Sequence, residues 1–387
     1  MITFLAKRLI PDWEQVTKPA VRQAYGMLCG IVGVVLNILL CGGKLLAGAI
    51  TGSIAITADA LNNLSDAGSS VVSLLGFRLA GQKPDSDHPF GHGRIEYISG
   101  LVVSMLILLM GAELLKSSVE EILSPGEVVF SPLSLGILAV SICVKLYMSF
   151  YNRSVGKKIS SASMAATATD SISDVCATTA VLLSTLVGHF TSLQIDGWCG
   201  LLVALFILYA GFRSAADTIN PLLGQPPSPE FVKEVEDRVL SHPEIVGVHD
   251  LIVHDYGPGR LMITLHAEVP ADGDILALHD VVDTVENELA DDLHCLATIH
   301  MDPVVNDDAT TSLRQQVEAL VRQVDARITI HDFRMVQGPT HTNLIFDALI
   351  PFDLPLGDKE VGRRIKELVR GMEGNYFAVV RVEKGFL

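Results

Sequence analysis

The chain has 387 residues, of which 49% are hydrophobic and 19% are charged, and its formal net charge at pH 7 is -16. A composition this apolar, with a positive mean hydropathy, argues against an ordinary soluble protein and predicts a membrane protein. Polar character comes late in the chain, because apolar runs fill roughly the first 220 residues and most of the acidic residues follow them.

Six segments of the first part are long and apolar enough to cross a hydrocarbon core of about 30 Å as helices. The predicted spans are residues 26–49, 53–80, 96–122, 132–152, 163–189 and 196–219. Lysine and arginine are concentrated in the amino-terminal segment and in alternate connections, at Lys7, Arg8, Lys18, Arg22, Arg78, Lys83, Arg94, Arg153, Lys157 and Lys158. The opposite connections, "GAITGS", "SPGEVVFSP" and "GHFTSLQID", contain neither residue type. The positive-inside rule therefore predicts a multi-pass protein of the plasma or inner membrane with both termini in the cytoplasm.

The part after the spans contains an internal repeat. The stretch "HDLIVHDYGPGRLMITLHAEVP" at 249–270 recurs as "HDFRMVQGPTHTNLIFDALIP" at 331–351. The periodicity of each copy predicts the order helix, strand, strand, helix, strand. The predicted fold is a membrane α-helical bundle of six transmembrane helices, followed by a cytoplasmic α+β (α-β-β-α-β) ferredoxin-like domain in two tandem copies. The predicted domain boundaries are 1–220, 226–306 and 311–387.

Acidic residues interrupt two of the predicted spans at helical spacing. Asp59, Asn62 and Asp66 share one face of the second span, and Asp170 and Asp174 share one face of the fifth. An ionised aspartate at mid-membrane costs about 2.5 to 3.5 kcal/mol, so water, a partner or a cation must offset its burial. If the two helices touch, Asn62 and the last three aspartates form an oxygen-rich tetrad that suits a divalent cation. Alternatively, these residues only join helices through hydrogen bonds, and for Asp59 a packing role stays equally open.

Two lysines also lie in apolar segments. Lys44 and Lys145 each fall near the end of a predicted span. Their long aliphatic stems are therefore expected to carry the ammonium groups to the membrane interface rather than to the aspartates.

The connection after the second span contains a mixed set of oxygen and imidazole ligands. In "PDSDHPFGHGRIE", Asp85, His88 and His92 lie within eight residues, and Gly91 and Gly93 let the backbone wrap around them. This combination suits Zn²⁺ or a similar ion. The alternative is a polar cytoplasmic loop that only happens to contain histidines.

The six-span layout, the motifs "ADALNNLSDAGSS", "DHPFGHGRIE" and "ATATDSISDV", and the α-β-β-α-β tail together resemble the cation diffusion facilitator family of divalent-metal/proton antiporters, over residues 20 to about 305. The resemblance implies a secondary active transporter in membrane lipid, not an enzyme. It implies a homodimer joined through the cytoplasmic domain, with metal ions and protons as substrates, no cofactor and no nucleic-acid partner. The implied transport site is Asn62, Asp66, Asp170 and Asp174, with Asp59 as an accessory residue, and the implied loop site is Asp85, His88 and His92. In the cytoplasmic domain, the implied ligands are His249, His266, His279, His300 and Asp302.

The second copy of the repeat is an internal control for the cytoplasmic site. Where the first copy has His266, His279, His300 and Asp302, the second has Asp347, Glu360, Arg381 and Glu383. The fold therefore does not need those imidazoles, which favours a role in metal binding. His249 is an exception, because His331 occupies its place, and a shared structural role stays open for this pair. The second copy is expected to extend the dimer contact or to modulate the first.

The ligand types at the transport site predict the metal. An amide and three carboxylates are hard oxygen ligands that suit Mn²⁺, with Fe²⁺ as a near neighbour. In the family that the motifs resemble, zinc-exporting branches usually place histidine there, and the NxxxD with DxxxD arrangement most resembles the manganese-exporting bacterial branch. We therefore expect export of Mn²⁺ from the cytoplasm in exchange for protons by alternating access, with Zn²⁺, Fe²⁺, Cd²⁺ and Co²⁺ as alternatives. Two other classes stay open: a membrane metal sensor without transport, and an intramembrane metalloenzyme. The sequence has no HExxH motif to support the metalloenzyme.

Overall fold

The computed structural model describes residues 2–51, 54–124, 132–191, 195–305 and 307–385. The chain divides into two compact units, one of Met1–Gln225 with Asp255–Arg260 and one of Pro226–His254 with Leu261–Leu387. Each of the three connections that lack lysine and arginine lies partly outside the described residues, at 52–53, 125–131 and 192–194.

In the described part of the first unit, a short helix precedes six long ones. The helices are α1 (Ile2–Leu9), α2 (Pro19–Thr51), α3 (Ile54–Ala80), α4 (Ile95–Leu123), α5 (Pro132–Lys158), α6 (Ala162–Thr191) and α7 (Asp196–Leu223). Each predicted span falls on one of the six long helices. The main differences are at α2, which begins at Pro19 rather than at residue 26, and at α5, which continues to Lys158, past the predicted end at residue 152.

Among the described residues, four helical stretches are long and apolar enough to cross a membrane. They are Pro19–Ala47, Ile95–Leu123, Leu135–Lys158 and Gly197–Leu223. The prediction of six apolar spans is therefore confirmed for four. The other two long helices, α3 and α6, carry the predicted metal-binding aspartates and many serines and threonines, which lower their hydropathy.

Small hydroxylated side chains join the helices of this unit. Ser73 on α3 bonds Thr167 on α6 at 2.9 Å, and Ser104 on α4 bonds Ser214 on α7 at 2.8 Å. Such side chains let helix backbones approach closely where lipid supplies no hydrophobic driving force. Large apolar side chains instead lie exposed on the helices, among them Leu39, Leu109, Phe150, Leu202 and Phe212. An apolar exterior of this kind suits a lipid environment.

The second unit contains two three-stranded sheets, each with two helices. The first run is α8 (Pro229–Val239), β1 (Gly247–Asp255), β2 (Leu261–Pro270), α9 (Ile275–Leu293) and β3 (Cys295–Val304). The second run is α10 (Asp308–Val321), β4 (Thr329–Gln337), β5 (Thr342–Pro351), α11 (Asp358–Arg370) and β6 (Tyr376–Gly385). The strand orders are β1-β2-β3 and β4-β5-β6, and the second and third strands of each sheet are parallel. Both runs therefore have the element order α-β-β-α-β.

Local sequence signals explain where these helices begin. The side chains of Ser228, Asp274 and Asp307 each accept a backbone hydrogen bond at the start of a helix, and Pro229 follows the first of them. Each sheet packs against its own apolar core, one including Ile263 and Leu289 and the other including Phe346 and Ile365.

The alternation of side chains along the first sheet decides which residues face away from its core. Ile263, Leu265 and Ala267 on β2 are buried in the core, as are Ala297 and Ile299 on β3. Because successive strand residues point to opposite faces, the residues between them form a polar row on the other face of the sheet. That row contains His266, His300 and Asp302.

Candidate metal centres

Three aspartates from two helices converge inside the first unit. Asp66 on α3 and Asp170 on α6 are buried, and Asp174 lies one turn further along α6 with 12% of its side chain exposed. One carboxylate oxygen from each residue lies within 4.8 Å of the others. Oxygen ligands at this spacing can hold a divalent cation. The structure thus brings together three of the four residues predicted for the transport site.

The fourth predicted residue, Asn62, has a different environment. Asn62 is exposed, whereas the adjacent Asn63 is buried and accepts a hydrogen bond from the Lys44 ammonium at 3.2 Å. The side chain of Asp59 lies outside the described residues. The roles of Asn62 and Asp59 in metal binding stay predictions.

The prediction that Lys145 reaches the membrane interface is wrong. Its side chain is 3% exposed, and its Nζ donates to Asp66 Oδ2 and to Asp174 Oδ2, both at 2.6 Å. Because α5 extends to Lys158, Lys145 lies in the middle of the helix rather than near its end. From the middle of the helix the lysine stem is too short to reach either interface, so the two carboxylates compensate the ammonium where it is buried. The sequence signal that could have identified it is a lone lysine inside the apolar run "ILAVSICVKLYMSF".

The loop between α3 and α4 gathers the three residues predicted there. Asp85 Oδ1 lies 3.3 Å from His88 Nδ1, and Asp85 Oδ2 lies 3.4 Å from His92 Nε2. The pKa of Asp85 is lowered, chiefly because its carboxylate accepts the backbone N–H of His88 at 2.7 Å. Gly91 has φ +82°, a left-handed conformation that glycine adopts without steric cost. Nδ1 of His92 is buried without a hydrogen-bond partner among the described residues, whereas its Nε2 faces Asp85.

A second histidine cluster surrounds Asp302 on the polar face of the first sheet. The parallel register of β2 and β3 places His266 opposite His300. Asp302 lies 2.8 Å from His266 Nδ1 and 3.3 Å from His249 Nε2 through Oδ2, and 3.2 Å from His300 Nε2 through Oδ1. Ligand atoms of His249, His266 and Asp302 lie within 4.8 Å of one another. Imidazole and carboxylate groups at this spacing are suited to Zn²⁺ and similar transition-metal ions.

His279 is apart from this cluster in the protomer. It lies on α9, largely exposed, with its Nδ1 3.3 Å from Asp283 Oδ2. The predicted cytoplasmic ligands therefore divide into four that meet at Asp302 and one that does not. A role for His279 in metal binding stays a prediction.

The second run contributes a histidine and an aspartate beside His249 that were not predicted as site residues. The ring of His331 stacks on that of His249 at 5.2 Å between centroids, and Asp332 lies 3.9 Å from His249 Nε2. Burial alone would lower the pKa of His249, but the carboxylates of Asp250 and Asp332 outweigh this effect and raise it. Burial and the neighbouring His249 lower the pKa of His331. The repeated His-Asp pair at 249–250 and 331–332 was the available sequence signal.

The second sheet has different chemistry at the positions of the first cluster. The register of β5 and β6 places Asp347 opposite Arg381, just as His266 stands opposite His300. Arg381 forms an ion pair with Glu383 at 2.7 Å. A cationic guanidinium at this position disfavours a metal ion, so of the two described sheets the first offers the histidine-rich set.

Comparisons with known proteins match both parts of the chain. Residues 30–223 match the family model described as the cation efflux transmembrane domain, and residues 227–304 match that of the cation efflux protein cytoplasmic domain. An uncharacterized transporter of Methanocaldococcus jannaschii is 32% identical over 259 residues, which cover 67% of this chain and 91% of that protein. Proteins named cation-efflux pump FieF, from Shigella boydii and from Escherichia coli, are each 28% identical over 270 residues, covering 69% of this chain and 90% of theirs.

Proposed function

This chain belongs to the cation efflux family of membrane transporters, the cation diffusion facilitator family that its motifs resemble, and we propose that it exports a divalent metal ion from the cytoplasm in exchange for protons. The observation that carries this proposal is the convergence of Asp66, Asp170 and Asp174 from α3 and α6 within 4.8 Å. Buried carboxylates among membrane helices are costly, and they mark ion pathways when they gather at one point.

The proposed substrate is Mn²⁺. The intramembrane cluster consists of carboxylates, with the amide of Asn62 as the fourth proposed ligand, and hard oxygen donors suit Mn²⁺ and Fe²⁺ better than softer sites do. Zn²⁺, Cd²⁺ and Co²⁺ are the alternative substrates, because Zn²⁺ binds most ligand sets more tightly than Mn²⁺ does. Selection of Mn²⁺ over Zn²⁺ must then come from the geometry of the transport site.

The proposed mechanism is alternating access. With the cluster open to the cytoplasm, Asp66, Asp170 and Asp174 release protons and bind the metal ion. The bundle then opens to the opposite side, where protons compete for the same oxygens and the metal ion leaves. Because a proton and a metal ion cannot both occupy one oxygen lone pair, each outward movement of metal is coupled to an inward movement of protons.

The other two clusters, which contain histidines, are proposed to bind metal on the cytoplasmic side. In this proposal the six long helices span the inner or plasma membrane, both termini are cytoplasmic, and the α-β-β-α-β tail is a tandem pair of ferredoxin-like domains. Metal binding at His249, His266, His300 and Asp302 strengthens a homodimer and favours the transport-competent state. The cluster formed by Asp85, His88 and His92 loads ions near the cytoplasmic ends of α3 and α4.

A transport assay on reconstituted full-length protein tests the proposal. Proteoliposomes with a pH gradient and an internal metal-sensitive dye would report Mn²⁺ uptake by wild type, by Asp174→Asn and by Asp217→Asn. Asp217 is a matched control, because it is an exposed aspartate on α7 outside the three-carboxylate cluster. We expect Asp174→Asn to abolish uptake and Asp217→Asn to retain it.

Equal uptake by wild type and Asp174→Asn would reject this transport site. If metal binds the second unit while neither wild type nor any variant transports an ion, a metal sensor is the better interpretation. Competition of Fe²⁺, Zn²⁺, Co²⁺ and Cd²⁺ with Mn²⁺ in the same vesicles would rank the substrates.

A further inference from the structure

A lysine from a third helix lies between the carboxylates of the proposed transport site. Lys145 on α5 is as deeply buried as Asp66, and its ammonium lies 2.6 Å from one oxygen of Asp66 and 2.6 Å from one oxygen of Asp174. These distances are those of short, charge-assisted hydrogen bonds. The ammonium therefore connects α3, α5 and α6 at one point in the interior of the bundle.

The ammonium of Lys145 changes the net charge of the site. When all three aspartates are ionised, the three carboxylates and the one ammonium carry a net charge of minus two. One divalent cation or two protons neutralise that charge, whereas three carboxylates without the lysine would be left with one negative charge after a divalent ion binds. Uncompensated charge is costly in a low-dielectric interior.

We propose that Lys145 is a tethered counter-cation of the transport site, which matches the three-carboxylate site to a divalent ion and competes with that ion for Asp66 and Asp174. This inference rests on the proposed function. Without metal, the ammonium holds the two carboxylates together. When metal enters, the ammonium leaves at least one of them, because a divalent ion needs the same oxygens and repels a cation that close. The flexible four-carbon stem of lysine permits this movement while the charge stays in the bundle.

The competition explains how a site with three carboxylates can release its ion. A tethered cation has a high effective concentration, so it returns to the carboxylates as soon as the metal departs. Without it, the third carboxylate would hold the divalent ion more tightly and slow its release. Lys145 therefore lowers the affinity of the site for the divalent ion and speeds the release of that ion.

Charge-balance variants of the full-length protein, reconstituted in proteoliposomes, test this inference. Asp170→Asn leaves a net charge of minus one at the site, Lys145→Met leaves minus three, and the double variant restores minus two. Lys44→Met is the graded control, because Lys44 is also buried in the bundle, on α2, but donates to Asn63 and acts on Asp66 more weakly than Lys145 does. The measurements are the Mn²⁺ concentration for half-maximal uptake and the maximal rate.

The expected results have opposite signs for the two single variants. Lys145→Met lowers the half-maximal Mn²⁺ concentration about tenfold, because no ammonium competes with the ion for the carboxylates. The same variant also lowers the maximal rate, because the ion is released more slowly. Asp170→Asn raises the half-maximal concentration, and adding Lys145→Met recovers about tenfold of that loss. Adding Lys44→Met to Asp170→Asn gives no comparable recovery.

Several outcomes would overturn the inference. A double variant no better than Asp170→Asn, in protein that elutes as a folded species in size-exclusion chromatography, would show that Lys145 does not balance the site charge. If Lys145→Met alone fails to fold, the double variant still decides, because it keeps the net charge of wild type. Wild-type flux in Asp174→Asn would reject the transport site itself, whereas loss of flux in Asp174→Asn without recovery in the double variant rejects only the role of Lys145.

Discussion

Glu96, at the start of α4, is a buried acid outside the three candidate metal-binding clusters. It is 1% exposed and accepts a bidentate pair of hydrogen bonds from the Arg22 guanidinium, at 2.5 and 2.7 Å, and one from Ser161 at 2.6 Å. Arg22 also donates to the backbone carbonyl of Ile159 at 2.8 Å. The sequence predicts Arg22 only as one of the positive charges of a cytoplasmic segment. The structure makes it part of a clamp between α2, α4 and the connection that follows α5.

Removing the acid of this clamp should destabilise the first unit. Glu96→Ala leaves the largely buried Arg22 without its carboxylate, and breaking a buried pair in this way costs about 3 to 5 kcal/mol. We expect a lower melting temperature in detergent, measured by intrinsic fluorescence. Glu120→Ala on the same helix is the control: its pair with Lys116 is exposed, at 3.8 Å, and worth about 0.5 kcal/mol or less. Equal melting temperatures for the two variants would show that this clamp does not stabilise the first unit.

Asp302 can be compared with its counterpart in the second sheet, Glu383. Asp302 faces three imidazoles, whereas Glu383 pairs with a guanidinium. Loss of an outer-shell partner alone weakens a metal site about 10- to 100-fold, and loss of a direct ligand should weaken it at least as much. We therefore expect Asp302→Ala to reduce Zn²⁺ and Mn²⁺ binding by the full-length protein, measured by equilibrium dialysis with elemental analysis. Glu383→Ala should bind as wild type, and a matching loss there would argue against a site at Asp302.

At the scale of elements, the two α-β-β-α-β runs have the same element order and separate cores. Ile263, Leu265 and Leu289 are buried in the first core, and Leu344, Phe346 and Ile365 are buried in the second. Each core is built from alternate residues of the second strand and from the apolar stripe of the helix that follows it. Because the cores are separate, a substitution that destabilises one core should mainly destabilise the sheet that packs on it.

A large-to-small substitution in the second core tests this independence. Phe346→Ala removes a side chain that is 1% exposed and should cost about 3 to 5 kcal/mol within its own core. Hydrogen exchange of the full-length protein should then show loss of protection over β4, β5, β6 and α11, with β2 and β3 unchanged. Val379→Ala, at an exposed position on β6, should leave both sheets protected. Equal loss of protection in β2 and β3 would show that the two runs unfold as one.

At the scale of the whole molecule, the proposed homodimer should respond to metal. A ligand that binds the dimer in preference to the monomer stabilises it by about 2.7 kcal/mol per site at a concentration of about 100 times its dissociation constant. Chelation of metal should therefore raise the dimer dissociation constant by about 100-fold for each ion removed. Sedimentation equilibrium in detergent would measure this change.

A variant of the cluster separates this effect from general effects of chelation. Asp302→Ala should form dimers whose stability no longer depends on metal, because the imidazoles around it lose their shared carboxylate. A metal-dependent dimer in this variant would place the effect at another site, and a metal-independent dimer in wild type would reject the regulatory role.

What the sequence alone determined about this protein is its local pattern. The positions of the long helices, the α-β-β-α-β order and the spacing of Asp66, Asp170 and Asp174 follow from periodicities of 3.6 and 2 residues, which are properties of neighbouring residues in the chain. Polar residues at helical spacing in apolar segments also indicated a cation site, because their burial in hydrocarbon must be offset. The family followed from the same motifs.

Only the tertiary structure decided which distant residues meet. Lys145 joins the cluster although 79 residues separate it from Asp66, and Arg22 meets Glu96 across 74 residues. It also decided that Asn63 rather than Asn62 is buried, and that His279 lies apart from Asp302 while His331 stacks on His249. Helical periodicity gives the relative angle of side chains on one helix but not the rotation of that helix against its neighbours. That rotation depends on the packing of the whole bundle, so the partners of a buried charge emerge only when all the helices are in place.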